Sequence, residues 1–333
     1  MSEVKRERRI SKYGLPIFIG CLGCLGTVVA LFGAMLALAL LVTAGVEGVS
    51  GVGIIGGTVG LIKAEGVIVD GISGYGTVGS ESIVKLLERA REDPFIKAVV
   101  IRINSPGGSA SASQEIYQAI KEFKRSGKPI VVSMGEVAAS GGFYIASAAD
   151  AIFASPSTLT GSIGALIAIV NLRQLMHKLG VDAETIVSGP FKDTGSLFRE
   201  LRPEERQLLK QLIDDVYNQF LEDVAAGRNL PVSKIKPFAD GRVLTGRQAC
   251  KLKFVDKLGG LQDAISYAAE RAGIKGKPRV KELRYRKGLW DILTTTSYPS
   301  DFRSMLLLDL HLCPTWLLRK LVSELAIEPA RVR

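Results

Sequence analysis

Histidine is nearly absent from this sequence, which has only two, His177 and His311, among 333 residues. His177 lies on a short predicted helix whose apolar side chains face the core, so that its imidazole faces solvent. His311 lies in an apolar tail, beyond the last element of the α/β pattern. A Ser-His-Asp triad, which needs a histidine beside the nucleophile, is therefore disfavoured.

Cysteine is also scarce, with four in the chain. Cys21 and Cys24 fall in an apolar segment, where small packing residues explain them better than a redox or metal pair. The sequence has no His/Cys cluster with ligand spacing and no GxxxxGK[ST] phosphate loop, so we predict neither a metal nor a nucleotide cofactor. Its basic runs lack interleaved aromatic residues, which argues against nucleic acid as a partner.

Charge is absent from residues 15–44, a run long enough for a transmembrane helix, which needs about 20 residues. Five basic residues lie within residues 1–14, and the positive-inside rule keeps that end cytoplasmic, with everything after Ala44 on the outer face. A cleaved signal peptide is the alternative, because residues 42–44 would pass as a cleavage site. The apolar run is about twice as long as the usual signal-peptide core, which favours an uncleaved anchor.

Strand and helix patterns alternate after a glycine- and valine-rich linker at residues 45–58. Continuous apolar strands at residues 98–103 and 129–134, separated by amphipathic helices, predict a mostly parallel sheet in an α/β domain over residues 59–274. A further strand is predicted at residues 181–189. The sequence also predicts a C-terminal extension of unknown role at residues 275–333.

Glycine-rich loops follow three of the predicted strands, at the sheet edge where functional residues collect. In the second loop, Ser140 lies between two alanines and two glycines at the start of a predicted helix. The helix N-terminus offers unpaired N–H groups and a positive dipole, which suit a serine that attacks a carbonyl. An N-cap serine followed by closely packed glycines explains the same residues equally well.

The base for such a serine must come from elsewhere than histidine. A lysine can serve only when it is neutral, and burial without a carboxylate partner lowers the usual lysine pKa of about 10.4. Lys192 is the candidate, since it lies beside Pro190 and Phe191 among several glycines. Its neighbour Asp193 need not reach the amine, because adjacent side chains of an extended segment point to opposite faces. A solvated surface lysine is the alternative.

Four motifs, in this order behind one predicted membrane anchor, resemble the signal peptide peptidase A family of bacterial and archaeal Ser/Lys proteases. They are NSPGG at 104–108, ASGGFYIASAAD at 139–150, LTGSIG at 159–164 and SGPFKDTGSLFR at 188–199. The resemblance covers about residues 59–273. It implies the Clp protease/crotonase-like fold of stacked ββα units, and a homo-oligomeric ring or dome with inward-facing active sites.

Matched motif by motif, the resemblance implies that Ser140 is the nucleophile and Lys192 the general base. Ser162 would orient the lysine amine through a hydrogen bond. The backbone N–H groups of Gly107 and Ser140 would form an oxyanion hole, supported by Gly141. Because the sequence carries one serine motif and one lysine motif, a complete site could form within one subunit.

The expected protein is a membrane-anchored serine endopeptidase that degrades cleaved signal peptides at the inner membrane of a prokaryote, with its catalytic domain on the extracytoplasmic face. Its substrates would be apolar, extended peptides that add a strand beside a sheet edge. Three alternatives stay open. The first is a related Ser/Lys protease that cuts one membrane protein such as a stomatin. The second is a crotonase-like acyl-CoA enzyme, and the third is a non-catalytic scaffold.

Overall fold

The computed structural model describes residues 57–285. The predicted cytoplasmic terminus and membrane helix, almost all of the linker, and all but the first part of the C-terminal extension lie outside the described residues. None of the helices between residues 57 and 285 is both long and apolar enough to cross a membrane.

Ten strands form the sheets of the described region. They are β1 Thr58–Glu65, β2 Val67–Val69, β3 Thr77–Gly79, β4 Ile96–Ser105, β5 Ile130–Ala139, β6 Ala151–Ala154, β7 Leu159–Gly161, β8 Val243–Thr245, β9 Lys257–Leu258 and β10 Arg279–Glu282. The main sheet has the order β10-β1-β4-β5-β6-β9, and every neighbouring pair in it is parallel. Strand β7 pairs in parallel with the end of β5 and antiparallel with β8, while β2 and β3 form a small parallel pair.

Eight α-helices connect these strands. They are α1 Ser80–Glu92, α2 Ala110–Lys124, α3 Gly141–Ser147, α4 Arg173–Lys178, α5 Pro203–Arg228, α6 Val232–Ile235, α7 Gly246–Lys251 and α8 Leu261–Arg271, with a 3-10 turn at Lys236–Phe238. The predicted α/β fold with a mostly parallel sheet is confirmed.

Strand β4 explains why its sequence is a continuous apolar run. Val99, Ile101 and Ile103 pack into the larger core, which contains the buried faces of α1, α2, α3 and α5. Ala98 and Val100 point the other way, into a smaller core built with α8. Because helices cover both faces of the parallel sheet, neither face of this strand needs polar side chains.

The predicted strand at residues 181–189 is wrong, since the structure has no strand there. Residues 164–202 leave the sheet after β7 and return at the start of α5, with α4 as their one helix. We call this segment the excursion. Hydrogen bonds from the Leu172 N–H to the Leu197 carbonyl (2.7 Å) and from the Asn171 side chain to the Arg199 carbonyl (3.3 Å) join its two arms. Its apolar residues have β propensity, but no strand among residues 57–285 pairs with them to complete a ladder.

Helix α5 crosses α3 at Gly227, where an added Cβ would lie only 2.3 Å from the Ser147 carbonyl oxygen. Helix propensity alone predicts that Gly227→Ala stabilises the protein by about 1 kcal/mol. The clash is with backbone, which cannot rotate away, and such overpacking costs about 1–3 kcal/mol. We therefore expect Gly227→Ala to lower the free energy of unfolding, measured by urea denaturation. Ala226→Gly, at the exposed neighbouring position, measures the difference in helix propensity between alanine and glycine in the same helix. A more stable Gly227→Ala protein would contradict the close packing.

Candidate active site

Ser140 lies on a sharp turn between the end of β5 and the start of α3. Its backbone has φ 52° and ψ −121°, a conformation that non-glycine residues rarely adopt and that costs about 1–3 kcal/mol. The turn is held by two hydrogen bonds: the Ser140 N–H donates to the Gly161 carbonyl (2.8 Å), and the Tyr144 N–H donates to the Ser140 carbonyl (2.9 Å). The serine hydroxyl is thus fixed at the carboxyl end of the parallel sheet.

Ser162 lies directly after β7 and shares this unusual geometry, with φ 52°. Its N–H donates to the Arg242 carbonyl at 2.8 Å. Within residues 57–285, only four non-glycine residues have positive φ, and Ser140 and Ser162 are two of them. Backbone strain persists mainly at functional sites. Two strained serines that line the same cleft therefore indicate a functional site more strongly than either motif does alone.

A cleft of about 450 Å³ brings the two serines together. Gly108 and Gly141 contribute to its wall, and Ala110, Leu166 and Phe220 give it an apolar surface. Tyr144 also lines the cleft, and its ring stacks on Phe220 with centroids 4.6 Å apart. The shape and lining suit a peptide segment with a small or apolar side chain next to the attacked bond.

The two N–H groups predicted for the oxyanion hole already have acceptors. The Gly107 N–H donates to the Ser105 hydroxyl (3.1 Å), and the Ser140 N–H donates to Gly161. The N–H groups of Gly108 and Gly141 have no acceptor among the described residues. Both of these residues line the cleft, so they are the donors best placed for a substrate oxyanion.

Close backbone approach explains the glycines of this loop. A Cβ on Gly107 would lie 2.8 Å from the Gly141 nitrogen, and one on Gly108 would lie 2.0 Å from the Ile68 carbonyl oxygen. Both glycines also have positive φ, which side chains disfavour. Gly108 was not among the predicted site residues, although the double glycine of NSPGG was the signal for it.

Lys192 does not line this cleft. It is exposed on a turn of the excursion, and no hydrogen bond joins it to Ser140 or Ser162 in the described region. The one titratable side chain that the structure places in the cleft wall is Tyr144, which donates to Asp223 at 2.5 Å. Burial, together with this hydrogen bond, raises the pKa of Tyr144, so it stays protonated and is no base at neutral pH. The cleft of a single chain therefore holds the predicted nucleophile without the predicted base.

Asp193, the neighbour of Lys192, pairs with Arg199. The guanidinium donates to both carboxylate oxygens, each at 2.7 Å. It also donates to the fully buried Glu205 at the start of α5 (2.8 and 2.5 Å), and Arg202 donates to Glu205 as well (2.5 Å). Hydrogen bonds from Arg199 hold the pKa of Asp193 below its usual range, and those from Arg199 and Arg202 do so for Glu205. Asp193 and Arg199, with Glu205 and Arg202, form what we call the ion cluster.

Apolar side chains of the excursion face outward. Ile186 is 93% exposed and Leu166 is 82% exposed. Other large apolar residues here are also exposed: Ile167, Ile169, Val170, Leu175, Val187, Phe191 and Phe198. An apolar surface of this extent is characteristic of a contact with another chain or with a bound peptide.

Two family models match this region, that of peptidase family S49 over residues 122–275 and that of the Clp protease over residues 72–160. A provisionally named protease of Synechocystis is 47% identical over 194 residues, which cover 58% of this chain and 69% of that protein. Protease 4 of Salmonella typhi is 41% identical over 220 residues, covering 66% of this chain and 35% of that protein. A provisionally named signal peptide peptidase SppA of Enterococcus faecium is 37% identical over 185 residues, covering 56% of this chain and 54% of that protein.

The α/β fold and these matches define a serine-type peptidase. The chain belongs to peptidase family S49, whose model it matches, and it covers 69% of the Synechocystis protease to which it is 47% identical. The resemblance found in the sequence motifs is thereby confirmed. The chain spans only 35% of Protease 4 and 54% of SppA.

Acid should weaken the folded state through the ion cluster. Groups whose pKa is lowered by folding contribute stability above their unfolded pKa values, near 4, and lose it as the pH falls. We expect the urea midpoint to decline from about pH 5 to about pH 2, and Glu205→Gln to remove part of that decline. Arg242 lowers the pKa of Asp240 to about 2, so some of the decline remains. Glu204→Gln, at an exposed adjacent position, is the control. An unchanged acid profile in Glu205→Gln would contradict the assignment.

Proposed function

We propose that this chain is a membrane-anchored serine endopeptidase that degrades cleaved signal peptides, with Ser140 as nucleophile and Lys192 as general base. The observation that carries the proposal is the strained Ser140 turn, which presents a hydroxyl beside two N–H groups that have no acceptor in the described region. The relatives named Protease 4 and SppA support the reaction class. The uncharged run at residues 15–44 supports the anchor and a place at the inner membrane, with the catalytic domain outside the cytoplasm.

In the proposed reaction, the Ser140 hydroxyl oxygen attacks the substrate carbonyl while the neutral Lys192 amine takes the hydroxyl proton. The carbonyl oxygen becomes an oxyanion, which accepts hydrogen bonds from the Gly108 and Gly141 N–H groups. Each such donor contributes about 3–4 kcal/mol in the transition state. The lysine then returns its proton to the leaving amine, and water releases the acyl group from Ser140 by the same steps. Ser162, which also lines the cleft, would receive and orient the amine.

The apolar lining of the cleft supports apolar peptide substrates. Leu166, Phe220 and Ala110 provide a surface for a small or aliphatic side chain, and the described residues that line the cleft include no acidic or basic group to bind a charged one. Signal peptides are extended and apolar once they are unfolded, which is the chemistry such a surface recognises. The family models that match the chain are those of peptidases, which favours a peptide substrate over an acyl-CoA substrate.

We further propose that Lys192 completes the cleft of an adjacent copy of the chain. In a single chain, Lys192 is exposed and does not line the cleft. The excursion that carries it presents large apolar side chains to solvent, among them Ile186 and Phe191. A neighbouring subunit would cover those side chains and bring the amine beside Ser140. The proposal therefore includes a homo-oligomer, with a ring or dome as the expected closed form.

Covalent labelling tests the nucleophile. A fluorophosphonate probe should modify Ser140, located by peptide mapping, and Ser140→Ala should abolish both labelling and casein cleavage. Lys192→Ala should abolish cleavage and retain the fold, shown by an unchanged circular dichroism spectrum. Ser113→Ala is the control, because Ser113 also lines the cleft but donates to the Ser109 carbonyl at 2.8 Å. Labelling that persists in Ser140→Ala would overturn the proposal.

Subunit mixing tests where the base comes from. Ser140→Ala and Lys192→Ala chains are each expected to be inactive, and a co-expressed mixture should regain about a quarter of wild-type activity, because half of the sites have the serine and half of those meet an intact lysine. The Ser140→Ala/Lys192→Ala double variant, mixed with wild-type chain at the same total protein concentration, controls for dilution. A mixture without activity would place both residues in one chain and leave the Ser/Lys chemistry itself unaffected.

A further inference from the structure

The residue next to the proposed base is a carboxylate, which is an unfavourable neighbour for it. A negative charge within about 4–6 Å of an amine stabilises its protonated form, and a protonated amine cannot accept the Ser140 proton. Asp193 follows Lys192 directly, in consecutive turns closed by the Lys192 N–H to Gly189 carbonyl bond (3.1 Å) and the Ser196 N–H to Asp193 carbonyl bond (3.0 Å). Turns bring adjacent side chains nearer to each other than an extended strand does.

The ion cluster neutralises the negative charge of Asp193. Both oxygens of Asp193 accept hydrogen bonds from Arg199, in a bidentate geometry that lysine cannot reproduce. Two carboxylates and two guanidiniums give the cluster a net charge of zero. Glu205 is fully buried at the start of α5, so it fixes Arg199 in place. Arg202 lies 3.8 Å from Asp193 and 2.5 Å from Glu205, so its main partner is Glu205.

We infer that Arg199 is a positioning residue, which binds Asp193 so that this carboxylate cannot hold Lys192 in its ammonium form. The inference rests on the proposed role of Lys192. Since the excursion carries both the lysine and Asp193, the arrangement holds whether Lys192 serves its own cleft or that of a neighbour. Arg199 also ties the turn that carries Lys192 to the start of α5, through Asp193 and Glu205. The other charged groups near the cluster line the adjacent cavity of about 540 Å³, and they are Glu200 and Arg206.

The test is the dependence of kcat/KM on pH in the full chain, with casein as substrate. The wild-type rate should rise with pH through the midpoint at which the amine loses its proton. In Arg199→Gln, one guanidinium is left for two carboxylates, and we expect the midpoint to move to higher pH by about one unit. Activity below the midpoint should then fall about tenfold, and the plateau at high pH should be retained.

Rescue by a second substitution distinguishes this role from a structural one. The Asp193→Asn/Arg199→Gln double variant removes both charges, so its midpoint should return to the wild-type value. Arg202→Gln is the matched control, because it removes the same charge from the cluster but leaves Asp193 bound to Arg199. The midpoint of Arg202→Gln should shift less than that of Arg199→Gln. The inference is overturned if Arg199→Gln has the wild-type midpoint, if the double variant keeps the shift, or if Arg202→Gln shifts as far as Arg199→Gln.

The inference can also be tested if the Arg199→Gln variant does not fold. If Arg199→Gln fails to fold, Arg199→Lys is measured in its place, because a lysine keeps the charge but cannot bind both Asp193 oxygens. Its midpoint should lie above the wild-type midpoint, and an unchanged midpoint would overturn the inference. Lys192→Ala is measured beside them: if it keeps wild-type activity, the proposed function fails, whereas an inactive Lys192→Ala with an unshifted Arg199→Gln rejects only the inference.

Discussion

The hydrogen bond from the Ser140 N–H to the Gly161 carbonyl is the interaction on which the site depends. Ser140 is held at φ 52°, a conformation that costs about 1–3 kcal/mol and persists only where the surroundings determine it. This bond continues the parallel pairing of β7 with the end of β5, where Ala138 faces Thr160 and Ala139 faces Gly161. The strain is therefore offset by the short sheet that also positions Ser162. One interaction joins the proposed nucleophile to the residue proposed to orient its base.

The same bond decides which backbone groups are left for a substrate. Because the Ser140 N–H is used within the sheet, the next N–H, that of Gly141, becomes the first free donor of α3. Gly107 similarly uses its N–H on Ser105, which leaves that of Gly108. The two free donors lie on different loops, and only glycine lets those loops approach so closely. In the proposed mechanism, catalytic preorganisation would follow from which backbone groups the fold does not use itself.

Much of the fold was predictable because local patterns and the final packing agree. Residues 98–103 and 129–134 are apolar without interruption since helices cover both faces of the sheet, and the sequence shows this directly. Ser140 was predictable for the same reason, as its small neighbours are required by the close packing around it. The N–H groups proposed as oxyanion donors were not predictable, because motifs identify loops but do not show which N–H in a loop is already bonded. The strand predicted at residues 181–189 is not formed because β propensity needs a neighbouring strand, and the part of the chain that the structure describes provides none there.

The excursion combines three features that have one physical explanation. Its large apolar side chains are exposed, its β-prone residues lack a partner strand, and its lysine lies outside the cleft that needs a base. Burial against another chain would remove apolar surface from water and could also supply backbone partners. On the function proposed above, a chain without neighbours has a nucleophile and no base. Proteolysis would then depend on assembly, and an unassembled subunit would not cleave the proteins it meets during its own folding and export.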